Sequence, residues 1–231
     1  LFFMVMAMVS VLALLPFVGA ALSALLTPAI NLGLMSATRE ATAGRFPMPT
    51  QLLTAFRGGA DKTRGVLSLG GLYGLALLLV LLIAGLMEGG TDVPATMTAE
   101  EAMRTALSSP ALWFAMVAML PLQMLFWHAP ALLFWHGLPP VKSLFFSLLA
   151  CWANKGAMLV FMAGWVAVLD AVGLVLSLLA GLLGSATALQ VVLYPLVLLM
   201  AAMFHTSLWF TFRDSFLDEA ATTPNTHGES A

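Results

Sequence analysis

Apolar residues run along this chain in blocks long enough to cross a bilayer. Neither the strict alternation of half-buried strands nor the narrow stripe of a soluble amphipathic helix dominates. A crossing needs about 20 apolar residues to span a hydrocarbon core of roughly 30 Å. The blocks that meet or approach this length are residues 1–15, 18–38, 66–87, 111–135, 155–174 and 189–212. The fifth can slide toward 175–183, because apolarity continues well past Asp170. The pattern predicts an all-α polytopic transmembrane helix bundle of about six spans. Residues 1–219 form the transmembrane domain, and residues 220–231, rich in Thr, Pro, Asn, Gly, Glu and Ser, read as a disordered tail. The block at 1–15 has no basic segment before it and another apolar block directly after it, so it reads as part of a first span, not a signal peptide.

The polar positions define the connections. Pro16 and Gly19 predict a tight apolar turn between the first two spans, and residues 89–110 form a polar loop. Thr27-Pro28-Ala29-Ile30 resembles Ala129-Pro130-Ala131-Leu132, and each is followed by a proline-led amphipathic stretch. After Pro49, Thr50, Thr54 and Arg57 share one face, with Leu52, Leu53 and Phe56 opposite. After Pro140, Ser143, Ser147 and Asn154 share a face, with Leu144, Phe145, Leu148, Leu149 and Trp152 opposite. Both stretches are expected as short interfacial amphipathic helices, polar face toward headgroups and water. The repeating unit is then two spans plus an interfacial helix.

Composition sharpens this picture. The chain is 61% hydrophobic and 9% charged, with mean hydropathy +0.99, against about 25% charged in soluble domains. Its surface must therefore face lipid. A net charge of −2 offers no basic surface for nucleic acid. The single cysteine, Cys151, cannot form an internal disulfide and reads as a small buried thiol. Lys and Arg decide orientation. Arg39, Arg45, Arg57, Lys62 and Arg64 follow the second span, Lys142 and Lys155 flank the start of the fifth, and Arg213 follows the sixth. Arg104 stands alone on the other side, among Glu88, Asp92, Glu100 and Glu101. The expected placement is the bacterial cytoplasmic (inner) membrane, multi-pass, N-in and C-in.

Ala129-Pro130-Ala131-Leu132, Trp135-His136-Gly137, residues 139–144 (Pro-Pro-Val-Lys-Ser-Leu), residues 147–152 and Phe212-Arg213-Asp214 carry a resemblance to the BPSS-type family of uncharacterised bacterial inner-membrane proteins. More distantly, the chain is similar to the membrane domain attached to some glycerophosphodiester phosphodiesterases. The resemblance implies a six-span bundle in the cytoplasmic membrane and no established activity. Members of that family usually carry an aromatic, basic stretch before the first span, which this sequence lacks.

Candidate chemistry is sparse. Phe126-Trp127-His128 and Phe134-Trp135-His136 repeat at a spacing of eight, which offsets the histidines by about 80° around a helix. His205 lies deep in the last span. Two of these could ligate haem or a metal, but no ligand three or four residues away completes a site. Hydrogen bonding to neighbouring helices is the expected role of His128 and His205, with His136 at the interface beside Trp135. Met4, Met6, Met8, Met116, Met119, Met124, Met200 and Met203 could hold Cu(I), yet they read better as flexible filler. Asn31, Gln123 and Gln190 lie at span depth and are expected in interhelical hydrogen bonds worth roughly 1 kcal/mol each. Asp170 is expected at the outer end of the fifth span; inside a longer span it becomes a proton-relay candidate. The glycine stripes Gly70-x-x-x-Gly74 and Gly173-x-x-x-Ser177-x-x-x-Gly181 predict close helix packing.

Neither a nucleophile–base pair nor a metal or nucleotide motif is present, so no enzyme, cofactor or metal is expected. The sequence favours a non-catalytic accessory or assembly component, with the bilayer and other membrane proteins as partners. The alternative is a small-solute transporter or channel, supported by Pro28, Pro121, Pro130 and Pro195 inside spans. His128, His205, Gln123, Asn31 and Asp170 are the ligand or pathway candidates, and a water-filled cavity at mid-membrane lined by His128, His205, Gln123 or Asn31 would favour the transporter.

Overall fold

The computed structural model describes Val11, Leu15 and residues 18–89, 98–183 and 186–216, without the side chains of residues 99, 102, 183, 186–192 and 194. The expected first span, its turn at Pro16 and the tail at 220–231 fall largely or wholly outside these residues. In lipid every backbone N–H and C=O must bond within the protein, and the apolar blocks accordingly fold as helices. They are α1 (Val18–Thr42), α2 (Thr54–Arg57), α3 (Ala60–Glu88), α4 (Ala99–Ser108), α5 (Pro110–Trp127), α6 (Ala129–His136), α7 (Pro140–Ala153), α8 (Lys155–Leu183) and α9 (Ala186–Phe216), with a 3-10 turn at Pro49–Leu53. Five stretches are long and apolar enough to cross a membrane: α1, α3, α5 with α6, α8, and α9 from Pro195 onward. No strand occurs among the described residues. The fold is an all-α membrane helix bundle, as the apolar blocks predict.

The polar loop is closed by local chemistry. Gly89, at φ 65°, ends α3 in the left-handed conformation that glycine adopts without strain. The Thr98 hydroxyl accepts from the Glu101 N–H, and the Glu101 carboxylate accepts from the Thr98 N–H, a reciprocal cap for α4. That backbone hydrogen bond from Thr98 holds the Glu101 carboxyl below its ordinary value. Ser109 caps α5, with Pro110 at its first position.

α1 is the axis of the bundle. From Leu32 through Thr38 every residue is buried, and α1 contributes to each hydrophobic cluster. Leu32 packs with Leu69, Phe126 and Leu133; Met35 with Leu132, Trp209 and Phe212; Leu34 with Leu198 and Ala202. Its neighbours approach as closely as backbones allow. A Cβ on Gly70 would stand 1.9 Å from the Leu25 carbonyl oxygen, and one on Gly33 would stand 2.7 Å from the Leu52 carbonyl oxygen. Gly74 lies in ordinary contact with Ala24, so the Gly70–Gly74 stripe packs as expected. The second stripe does not. A Cβ on Gly173 or Gly181 would meet nothing within 4 Å, because α8 touches the bundle chiefly through α9 and only lightly through α7.

Between α5 and α6 the helix breaks. Pro130 has no N–H, and its ring excludes the carbonyl four residues back. His128 therefore ends α5, and α6 starts at Ala129. A regular helix would have the His128 N–H donate to the Met124 carbonyl. Here the Ser147 hydroxyl of α7 stands between them. It accepts from the His128 N–H at 2.9 Å and donates to the Met124 carbonyl at 2.8 Å. The Cys151 thiol reaches the same carbonyl at 3.7 Å. Beyond the break, Ala129 through Leu133 are buried. α6 ends where Gly137, at φ 67°, donates its N–H to the Leu132 carbonyl and where the Lys62 ammonium donates to the Phe134 carbonyl at 2.8 Å.

This arrangement corrects the expected orientation of α7. Its Ser143, Ser147 and Cys151 face is buried against α5 and α6, not turned to headgroups. Satisfying the broken ladder outweighs solvating two hydroxyls. Phe145, Leu149 and Trp152 point outward, as the acyl-facing side should. The earlier proline-led stretch is also not an amphipathic helix. It is the 3-10 turn and the single turn α2, which bury Ala55 and leave Leu53 and Phe56 exposed. The two proline motifs differ as well: α1 runs unbroken through Pro28, whereas Pro130 opens a new helix.

Two substitutions test these contacts. Gly70→Ala must push α3 off the α1 backbone, and overpacking of this kind costs about 1–3 kcal/mol; the thermal midpoint of the purified protein should fall, while Gly71→Ala, with open space at its Cβ, leaves it in place. Ser147→Ala strands the His128 N–H and the Met124 carbonyl, a loss of about 1–3 kcal/mol. Ser147→Asp, which adds a charge in a dry site, should abolish folded monomer on size exclusion. Equal behaviour of Ser147→Asp and the exposed Lys142→Ala would refute the inward serine face.

Candidate functional site: a polar cavity inside the bundle

α1, α3, α5 and α9 do not close completely where their polar side chains meet. Thr27 and Asn31 of α1, Tyr73 of α3, Gln123 of α5 and His205 of α9 line a cavity of about 180 Å³, with Phe126, Trp127 and Phe204 among its apolar walls. At about 30 Å³ per water it has room for about six waters or a solute of glycerol size. Among the described residues no Asp, Glu, Lys or Arg lines it.

The walls are fixed by aromatic contacts. Tyr73 meets Phe126 edge-on at 5.1 Å. Trp127 stands edge-on to Phe161 and to Phe204, at 5.8 Å in each case, and its indole N–H donates to the Thr211 hydroxyl at 3.0 Å. The polar groups differ in how far they are already committed. Thr27 donates to the Ser23 carbonyl. His205 Nδ1 lies 2.7 Å from the Ala201 carbonyl oxygen. A carbonyl only accepts, so Nδ1 carries the proton and Nε2 of the neutral ring keeps its lone pair. Asn31 Oδ1 is buried and has no hydrogen-bond partner among the described residues.

Three of the sequence-predicted residues thus meet in one cavity: Asn31, Gln123 and His205. The interhelical bond expected for Asn31 does not form at Oδ1 among the described residues. Tyr73 was not singled out in the sequence, and Thr27 stood out there only as part of the repeat at residues 27–30. A tyrosine at span depth, with a polar tip on an apolar ring, is the signal that marks Tyr73.

The other candidates lie elsewhere. His128 is fully buried, and both ring nitrogens lack partners among the described residues, so the interhelical bond expected of it is not formed there. Its ring lies 5.9 Å from Phe212 and 5.4 Å from Phe216. His136 meets the same two rings at 6.0 and 6.4 Å, so the kink brings both histidines to one aromatic pair despite their helical offset. Among the described residues no group of three or more His, Cys, Asp or Glu forms a metal-holding set. Asp170 is not at a helix end: α8 continues past it to Leu183. It is exposed, outside the cavity, and has no ion-pair partner among the described residues. The Gln190 side chain lies outside the described residues.

An apolar groove of about 490 Å³ runs between α8 and α9. Phe204 and His205 line both it and the polar cavity.

These features define a polytopic, all-α integral membrane protein with an uncharged polar cavity within its bundle. A probable inner membrane protein of Burkholderia thailandensis is 38% identical over 223 residues, which cover 94% of this chain and 83% of that relative. The chain belongs to the same family of inner-membrane proteins. No protein-family model matches it, so the finer likenesses to BPSS-type proteins and phosphodiesterase membrane domains find no support there. No solved structure matches it either.

Proposed function

We propose that this protein is a non-enzymatic carrier for a small uncharged solute in the bacterial inner membrane. The observation that supports this most directly is the convergence of Asn31, Gln123 and His205 on one cavity, where Asn31 Oδ1 is buried with no hydrogen-bond partner among the described residues. Intramembrane polar groups are costly, and they collect where a ligand or water path runs. Chemistry would need an acid, a base and a nucleophile placed together, and this wall offers a lone imidazole and a phenol. The accessory or assembly role retains support of its own. Asp170 stands on an exposed face of α8 within an apolar helix, a place where another membrane protein's helix could cover it.

Both ends are proposed to lie in the cytoplasm. What supports this is the sequence order of the basic residues, which follow α1, precede α3, flank α7 and end α9, while Arg104 stands apart among acidic residues, since basic loops stay inside.

Proteoliposomes carrying the protein should admit glycerol faster than empty liposomes in a stopped-flow light-scattering assay. Asn31→Leu or His205→Leu should slow entry by about tenfold, the weight of roughly 1.4 kcal/mol of hydrogen bonding. No acceleration by the unmodified protein overturns the carrier reading.

For orientation, an Arg45→Cys variant in intact cells should resist an impermeant thiol reagent, and a Glu100→Cys variant should react with it. The reverse pattern overturns the topology.

A further inference from the structure

We infer that the cavity and the α8–α9 groove are two halves of one binding site for an uncharged amphiphile, its hydroxyl-bearing head in the cavity and its hydrocarbon tail in the groove. This rests on the carrier reading of the cavity and goes beyond it in naming the substrate class.

The geometry joins the halves. His205 and Phe204 belong to both walls, so a molecule whose head bonds His205 has its next carbons beside Phe204 at the mouth of the groove. The groove continues away from the cavity between side chains such as Trp165, Val172, Leu196 and Met200, and glycine at position 173 keeps it wide. Apolar walls without partner atoms lose their dispersion contacts, so in a bilayer this space holds hydrocarbon. The head determines which hydrocarbon.

The head is specified by what the cavity has and lacks. In the neutral tautomer that the Ala201 bond selects, His205 Nε2 is an acceptor; Asn31 Oδ1 is buried with no partner among the described residues, and both call for donors, as a hydroxyl provides. Asn31 and Gln123 amide N–H groups and the Tyr73 hydroxyl can return bonds to a hydroxyl or ether oxygen. A phosphate or ammonium head would enter with its charge unpaired, since no charged side chain among the described residues lines the site, and an unpaired charge away from water is far costlier than a hydroxyl.

The experiment uses the full chain in nanodiscs and a long-chain 1,2-diol bearing a photoactivatable diazirine midway along its chain. Comparison probes carry the same chain with a phosphate head, a trimethylammonium head or no head. The diol should label residues of α8 and α9 saturably, with unlabelled diol competing at least tenfold better than either charged analogue. Asn31→Leu should reduce diol labelling to the level of the headless chain. Gly173→Leu, which fills the groove, should reduce it too; a thermal midpoint for each variant checks that it is folded. Labelling that ignores the head shows ordinary lipid in the groove and overturns the inference. If labelling ignores the head while glycerol entry persists, the amphiphile inference falls alone. If glycerol entry is absent too, the carrier reading falls with it.

Discussion

A membrane helix can be interrupted only where something replaces its backbone hydrogen bonds, because lipid offers none. In this protein that replacement is the Ser147 hydroxyl, which completes the bond between the His128 N–H and the Met124 carbonyl from a neighbouring helix. The break lets α6 turn into the core, where Ala131 and Leu132 meet Met35 and Trp209. It leaves Gln123 and Trp127 in the last turns before the kink, facing the space between α1, α3 and α9. It also fixes α7, whose serine face has no other reason to be inward. Kink, cavity wall and the seating of α7 share one cause.

The second constraint is the closeness of α1 to its neighbours. Where Gly70 and Gly33 admit a bare backbone, the helices touch without side chains between them. Asn31 stands next to Leu32, where the fully buried run of α1 begins. There Tyr73 and Phe126 hold the helices apart by an edge-on ring pair. Tight contact at the glycines and aromatic spacers nearby leave a gap of about 180 Å³. Because polar side chains line that gap, it is polar and roomy enough to hold water.

The sequence made the helices legible and left their faces hard to read. Span lengths follow from bilayer thickness, so α1, α3, α5 with α6, α8 and α9 were readable from apolar run length alone. Asn31, Gln123 and His205 stood out because polar residues are rare at that depth. What apolar periodicity does not report is which face a polar residue turns. Ser143 and Ser147 read as a solvent face by soluble-protein logic, yet they face inward: the Ser147 hydroxyl completes the broken ladder, and the Ser143 hydroxyl is satisfied by the Pro140 carbonyl of its own helix. Asp170, expected at the outer end of the fifth span, lies on a helix that continues past it to Leu183. The pairing of Gly173 and Gly181 with open space shows that small residues permit close packing without enforcing it.

α8 shows how the energetics differ from those of a soluble fold. None of its most apolar stretch is buried within the protein, which in water would mark a helix about to detach. Lipid tails are as apolar as leucine, so covering α8 with protein gains little hydrophobic free energy. What holds this bundle is therefore the set of contacts that lipid cannot imitate. These are the Ser147 bridge, the Lys62 bond to the Phe134 carbonyl, the Trp127 bond to Thr211 and the bare-backbone approaches at Gly70 and Gly33. They join α1, the turn after it, α3, α5, α6, α7 and α9, and among the described residues none of them involves α8. The helix with the fewest such contacts is the one that borders the apolar groove. The groove can stay open because nothing that lipid fails to supply would be gained by closing it.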